Sequence, residues 1–332
     1  MDLLDRLRLD VPVGQAGMGG GLAGPELAVA VAGAGGLGTL GLAPPDQLRD
    51  SIRQIRDGAP GRAVAVNLLT PFLRRRHVAM CVDSRIDTAV VAFGGDRALV
   101  QELRDAGVFV MVMVGTEDQA RRAVHWGADA LIAQGGEAGG HLSGTTEALH
   151  FLPRALELSD GRPVLLAGGI ATGDDTRTAL TAGASGVIAG TRFLLTHESG
   201  AHPEYQRRVL AARKTFRTTL FGLGWPAPHR VIANAATERW CRDDGTIKVL
   251  PRLINSRSAV LAKLPDRAAA SVLRTQTPGL PFFSPIAPTV GMPASSVDRA
   301  ALYAGETALR MTAVIPARQA VTDLTPAGAA GG

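Results

Sequence analysis

Eight short apolar runs alternate with amphipathic segments across roughly the first 200 residues, and that rhythm limits the fold of this chain more than any other feature. The runs cover residues 11–16, 38–42, 63–69, 88–93, 109–114, 130–133, 163–167 and 186–189. Several are unbroken, as in Val108-Phe109-Val110-Met111-Val112-Met113-Val114, which is how strands covered on both faces of a parallel sheet read. Helical patterns fill the gaps at 45–56, 96–106, 117–126, 147–158 and 174–182. Many end at a glycine that takes the left-handed position closing a helix. This count of β–α units predicts an α/β fold, a (β/α)8 TIM barrel over residues 1–214. An open doubly wound sheet is the alternative. Gly33-Ala34-Gly35-Gly36-Leu37-Gly38 spells a dinucleotide fingerprint, but it follows a helical pattern and precedes a strand, the reverse of what that site requires. It reads as a helix-to-strand turn.

Beyond residue 215 the pattern changes. Prolines and a tryptophan cluster in Gly222-Leu223-Gly224-Trp225-Pro226-Ala227-Pro228, and strand-like runs vanish. Residues 229–275 read as mostly helical and 277–292 as a loop. The expected organisation is a small C-terminal helical and loop subdomain over 215–292, then a stretch over 293–324 that returns to the barrel. The helix of that stretch is expected near 296–314, and residues 325–332 read as a disordered tail.

Composition narrows the chemistry. The chain has three lysines, Lys214, Lys248 and Lys263, so a Schiff-base or pyridoxal enzyme built on the first 213 residues lacks its amine. Two cysteines, Cys81 and Cys241, make neither a disulfide framework nor a zinc site and suit a reducing cytosol. The start has no basic and apolar leader pattern, and no apolar run reaches membrane-spanning length, so a cytoplasmic protein free of membrane contact is expected. The net charge of +5 comes from interspersed residues. Arg74-Arg75-Arg76-His77 has no aromatic platforms beside it and reads as a solvated helix face rather than a nucleic-acid site. A homodimer is the expected assembly.

In a barrel, function collects where strands lead into helices. Those ends are Gln15-Ala16-Gly17-Met18, Asn67-Leu68-Leu69, Ala92-Phe93-Gly94, Gln134 to His141, Ala167-Gly168-Gly169-Ile170 and Ala189-Gly190-Thr191. Glu137 and His141 are their ionisable residues, too few for a metal hydrolase and without the paired carboxylates of a glycosidase. Glycines at the ends of the last two strands, Gly168-Gly169 and Gly190, let backbone amides approach an anion at a helix start. This predicts a phosphate site, and FMN is a phosphorylated cofactor that fits it. His141, on a flexible glycine-rich loop, is the nearby group able to exchange a proton near neutral pH.

These residues resemble the nitronate monooxygenases, whose cousins are flavin-dependent enoyl-acyl-carrier-protein reductases and NADH:quinone reductases. The likeness rests on Gln15-Ala16-Gly17-Met18, Ala34-Gly35-Gly36-Leu37-Gly38, Val66-Asn67-Leu68, Gln134-Gly135-Gly136-Glu137-Ala138-Gly139-Gly140-His141, Ala167-Gly168-Gly169-Ile170, Gly190-Thr191-Arg192-Phe193 and Glu198-Ser199-Gly200-Ala201-His202-Pro203. It covers about residues 11–210, with a looser match at Ala301-Leu302-Tyr303-Ala304-Gly305. The resemblance implies an FMN-dependent barrel oxidoreductase. Ala16, Gly17 and Met18 would line the flavin, Asn67 and Gln134 would hydrogen-bond it, and Gly139 and Gly140 would bring the loop close. Gly168, Gly169, Ala189, Gly190 and Thr191 would hold the phosphate. His141 would take the α-proton of a nitroalkane, and the nitronate would be oxidised with O2 to a carbonyl compound and nitrite. Many members carry proline where this chain has Gly17, and glycine there also occurs among the enoyl reductases. An NAD(P)H-dependent flavin reductase is therefore the alternative, and a flavin-binding protein without turnover is a third reading.

Overall fold

The computed structural model describes residues 2–258, 261 and 275–327. Eight parallel strands form the barrel: β1 (Val13–Gln15), β2 (Thr39–Leu40), β3 (Ala65–Leu69), β4 (Thr88–Ala92), β5 (Phe109–Val114), β6 (Ala130–Gln134), β8 (Val164–Ala167) and β9 (Gly186–Ala189). A short β7 (Gly140–His141) intervenes in the chain and lies outside the barrel sheet. Neighbours run β1-β9-β8-β6-β5-β4-β3-β2, and a parallel bridge from Gly14 to Leu37 joins the two ends into a (β/α)8 barrel. The closure is made by Gln15 N–H donating to Leu37 O at 2.9 Å and Leu37 N–H donating to Val13 O at 2.9 Å.

Side chains alternate across each strand. Ala65, Val90, Met111, Ile132, Leu165 and Ile188 point into the barrel and pack with Leu3 and Leu7, so the first helix (Leu3–Leu7) plugs the barrel. Val66, Val91, Val112, Ala133, Leu166 and Val187 point outward onto the helix layer. Both faces of the sheet are therefore dry, as the unbroken apolar runs require. Helices Pro45–Gly58, Arg97–Asp105, Glu117–Trp126, Ala148–Leu158 and Gly173–Thr181 stand close to where the periodicity puts them. The fingerprint-like glycines are the turn from helix Pro25–Gly33 into β2, with Gly35 in the left-handed region at φ 87°.

Four expectations change. First, strands do not end with the barrel: β10 (Phe216–Thr218) and β11 (His229–Val231) pair antiparallel, and β11 pairs with β7. Second, His141 is therefore on a strand rather than a flexible loop. Third, the stretch read as mostly helical over 229–275 starts in β11 and continues into helices Ala235–Trp240 and Val249–Ser256, while 259–260 and 262–274 lie outside the described residues. Fourth, the helix expected over 296–314 is two 3-10 turns, Ala294–Asp298 and Glu306–Arg310, and the returning helix is Ala317–Leu324. Pro316 is its N-cap, a ring suited to opening a helix and unsuited to its interior. Of the expected tail, Thr325 still hydrogen-bonds the last helix through Val321 O at 3.1 Å, and 328–332 lie outside the described residues. Among the described residues no helix is long and apolar enough to cross a membrane.

Candidate active site

The mouth of the barrel is assembled from the ends of β1, β3, β6, β8 and β9. Ala16 N–H donates to Ala189 O at 2.9 Å, which ties the first strand end to the last. Gly17 lies so close to Asn67 that a β-carbon there would overlap the Asn67 side chain. With this backbone, only glycine fits ahead of Met18. Asn67 Nδ2 donates to Gly17 O at 2.7 Å, while Asn67 Oδ1 is buried with no hydrogen-bond partner. A buried, unanswered acceptor costs about 1–3 kcal/mol, so its place at the mouth points to a ligand donor. A β-carbon on Gly190 would meet Ala16 Cβ alone, at 3.7 Å, so open space lies above this residue. Gly168 and Gly169, at φ 122° and 72°, turn the β8 end in a way side-chain-bearing residues rarely adopt.

Other expected ligand residues are engaged within the protein. Gln134 Nε2 donates to His141 O at 3.0 Å, and its Oε1 accepts from Ser143 N–H at 2.7 Å, so this amide shapes the loop that carries His141. Gly139 admits the backbone of the C-terminal segment: a β-carbon there would stand 2.5 Å from Gly305 N. Gly140, at φ 77°, carries the chain into β7. Thr191 Oγ1 accepts from Gly305 N–H at 2.9 Å. The start of helix Gly173–Thr181 is capped by Asp175, whose carboxylate accepts from Ala171 and Thr172 N–H at 2.8 Å each. An anion at this end of the barrel is thus left with the Gly168-Gly169 turn and the Gly190-Thr191 turn.

His141 sits in an aromatic enclosure. Its ring stacks on Trp225 with centroids 3.6 Å apart and planes 11° from parallel. Phe93, His229 and Tyr303 surround it at 6.0, 5.0 and 5.4 Å. Phe93 has φ 62°, a strained backbone for a bulky residue and a frequent mark of a functional position. Burial, then the neighbouring His229, hold the His141 imidazole well below its usual range, so it is neutral at pH 7. His141 Nε2 is buried without a partner. A neutral imidazole with an unanswered nitrogen can accept a proton from a substrate brought to it.

The loop is braced from behind. Arg230 Nε and Nη2 donate to Gly136 O at 3.0 and 2.7 Å, and Nη1 reaches Thr215 Oγ1 at 3.0 Å and Glu306 at 3.1 Å. The Glu137 carboxylate accepts from Ala148 N–H at 3.0 Å, opening helix Ala148–Leu158. Burial raises the Glu137 carboxyl pKa. Sequence reasoning named none of Trp225, His229, Tyr303 or Arg230 as site residues, because they come from the far segment. The proline and tryptophan cluster at 222–228 was the available signal for Trp225. Among the described residues no group of three or more His, Cys, Asp or Glu side chains could hold a metal.

The chain is similar to known proteins in sequence and in fold. The chain is 34% identical over 245 residues to a (3aS,4S,5R,7aS)-5-hydroxy-7a-methyl-1-oxo-octahydro-1H-indene-4-carboxyl-CoA dehydrogenase of Mycobacterium tuberculosis, covering 71% of this chain and 67% of that protein. Its fold superposes on the nitroalkane oxidase of Streptomyces ansochromogenes with TM-score 0.74 and 28% identity, covering 97% and 96% of the two chains. FabK of Thermotoga maritima matches with TM-score 0.76 and 26% identity, covering 97% and 94%. The family model described as nitronate monooxygenase matches residues 2–72 and 57–327. That range takes in nearly every residue the structure describes, from the helix plugging the barrel to the helix returning to it. The chain belongs to the nitronate monooxygenase family of oxidoreductases.

Proposed function

We propose that this chain uses FMN to oxidise alkyl nitronates with O2 to carbonyl compounds and nitrite, and that His141 is the base which makes nitroalkanes usable. The observation carrying the reading is the buried, unpartnered Nε2 of a neutral His141 at the barrel mouth. The rim fits FMN. Asn67 Oδ1 offers an acceptor, Ala16 to Met18 offer backbone along one side, and Gly168, Gly169, Gly190 and Thr191 offer a cradle for a single phosphate. When bound, FMN supplies two-electron redox chemistry and reaction with O2.

The protein's own contribution is proton handling and shielding. His141 Nε2 takes the α-proton, which requires the neutral imidazole that burial maintains. Gln134 holds the backbone on both sides of His141, at His141 O and Ser143 N. Trp225, Phe93 and Tyr303 keep water from the ring.

A second reading is favoured by the 34% identical relative, named as a CoA dehydrogenase. Here His141 would deprotonate carbon activated by a thioester instead of a nitro group. One experiment separates these readings and the NAD(P)H-dependent reductase. The yellow holoenzyme is mixed anaerobically with an alkyl nitronate, with an acyl-CoA, and with NADH or NADPH, and flavin absorbance is followed. The nitronate is expected to bleach the flavin rapidly. Bleaching by the acyl-CoA or the nucleotides without a nitronate response overturns the nitronate reading. His141→Ala should reduce nitroalkane turnover by about 10²–10⁴-fold while leaving the already deprotonated nitronate within a few fold. Equal loss with both removes His141 from the role of base.

A further inference from the structure

Trp225 does more than border the site. Its indole lies 3.6 Å from the His141 ring, nearly parallel, and is itself wedged by Phe93 at 5.0 Å and Phe72 at 5.6 Å, both edge-on. The two partners come from different parts of the chain, and their backbones are joined next to the stack. Leu142 N–H donates to Pro228 O at 3.0 Å, and His141 pairs with His229 across β7 and β11. The loop carrying Trp225 is anchored on its other side: Gly224 N–H donates to Ser258 Oγ at 2.8 Å and Leu223 N–H to Phe283 O at 3.1 Å. Gly224, at φ 83°, makes the bend that presents the indole. An aromatic side chain held from both sides has little freedom, so the imidazole against it has little freedom either.

On the reading of His141 as base, we propose that Trp225 is a positioning residue of the proton-abstraction step. It fixes the plane of the His141 ring and keeps water away from the nitrogen that receives the proton. The indole covers a face of the ring, and Nε2, on the ring edge, is buried without a partner. The charged alternatives nearby are silent: His229 is pushed down to about 4 by burial, and burial raises the Tyr303 phenol, so neither carries charge across neutral pH. Arg230, paired in register with Gly140, turns its guanidinium to Gly136 O, Thr215 and Glu306. Removing the indole therefore changes the solvation of His141 without exposing a new charge.

The test uses holoenzyme carrying Trp225→Ala, Trp225→Leu or Trp225→Phe. Two readouts are taken: the pH profile of kcat/KM with a nitroalkane, and the rate at which diethyl pyrocarbonate modifies His141, followed by peptide mass. In Trp225→Ala the acid limb should move upward by about one pH unit as the imidazole becomes hydrated. Labelling of His141 should rise about tenfold near pH 6, because a freely accessible imidazole reacts faster. Nitroalkane turnover above the limb should fall about tenfold through kcat rather than KM, with nitronate turnover nearly unchanged. Trp225→Phe should restore both readouts, and Trp225→Leu should move them in the same direction as Ala by less. Unchanged limb and labelling in the Ala and Leu variants would overturn the proposal. The labelling rate reads His141 itself, so it stands even if His141→Ala shows that another group is the base.

Discussion

At Gly190 and at Asn67 Oδ1 the barrel mouth has features that the protein's own packing and hydrogen bonds do not account for. Gly190 adopts φ −103°, a conformation open to any residue, and a side chain there would touch only Ala16. Fold strain does not account for its glycine; the proposed phosphate would. Gly190→Val should purify without flavin, by the ratio of visible to ultraviolet absorbance, while melting within a few degrees of the wild-type protein stripped of flavin. Full flavin content in that variant would place the phosphate elsewhere. Gly17 is the opposite case. There the neighbouring Asn67 side chain forbids a β-carbon, so a larger residue would disturb the wall as well as any ligand. The residue types at both positions were legible from sequence, but their different reasons were not, because a glycine kept for a ligand and one kept for a neighbour look alike in a string of letters.

At the scale of elements, the small sheet β10-β11-β7 carries His141 and a buried companion. His229 Nδ1 donates to Ala227 O at 3.0 Å, and its Nε2 accepts from Phe221 N–H at 3.3 Å. Both nitrogens are committed to the neutral ring, and burial lowers the pKa from 6.5 to about 4. Between those values the unfolded chain holds a proton that the folded chain refuses. Stability is therefore full above pH 6.5 and falls as the pH drops toward 4, by about 3 kcal/mol in all from this one group. His229→Gln keeps an acceptor but does not titrate. Urea unfolding at pH 7.5 and pH 5 should show a smaller loss in this variant than in wild type, and an equal loss would show that His229 is not the group responsible. This sheet was invisible to periodicity for a physical reason. Strands of two or three residues are too short to display alternation, and β7 pairs with a segment about ninety residues away. The barrel strands were legible because burial on both faces makes them continuous apolar runs. The last helix was misplaced because its start depends on Pro316, while the apolar residues before it serve two 3-10 turns.

Across the whole molecule, the chain leaves the barrel after its eighth strand, builds the cover over the mouth, and returns to finish the wall. The C-terminal helix Ala317–Leu324 packs between the first large helix, Pro25–Gly33, and helix Gly173–Thr181, which is the place of the eighth barrel helix. Its buried residues Ala317, Ala320, Val321 and Leu324 belong to the same core as the strands. The phrase beginning at Glu198 prepares that return. The Glu198 carboxylate accepts from Ala317 N–H at 2.8 Å, His197 N–H donates to Ile315 O at 3.1 Å, and the buried Arg192 donates to Ala313 O at 3.0 Å. The cover is therefore an insertion held between the eighth strand and the eighth helix, and the two should unfold together. Leu324→Ala removes a fully buried side chain and should cost about 2–5 kcal/mol. Far-UV circular dichroism, dominated by the barrel helices, and fluorescence, which includes Trp225 and Trp240 of the cover, should lose their midpoints in step. A fluorescence midpoint that falls while the circular dichroism midpoint stays put would mean the last helix stabilises the cover alone, and that the barrel wall is complete without it.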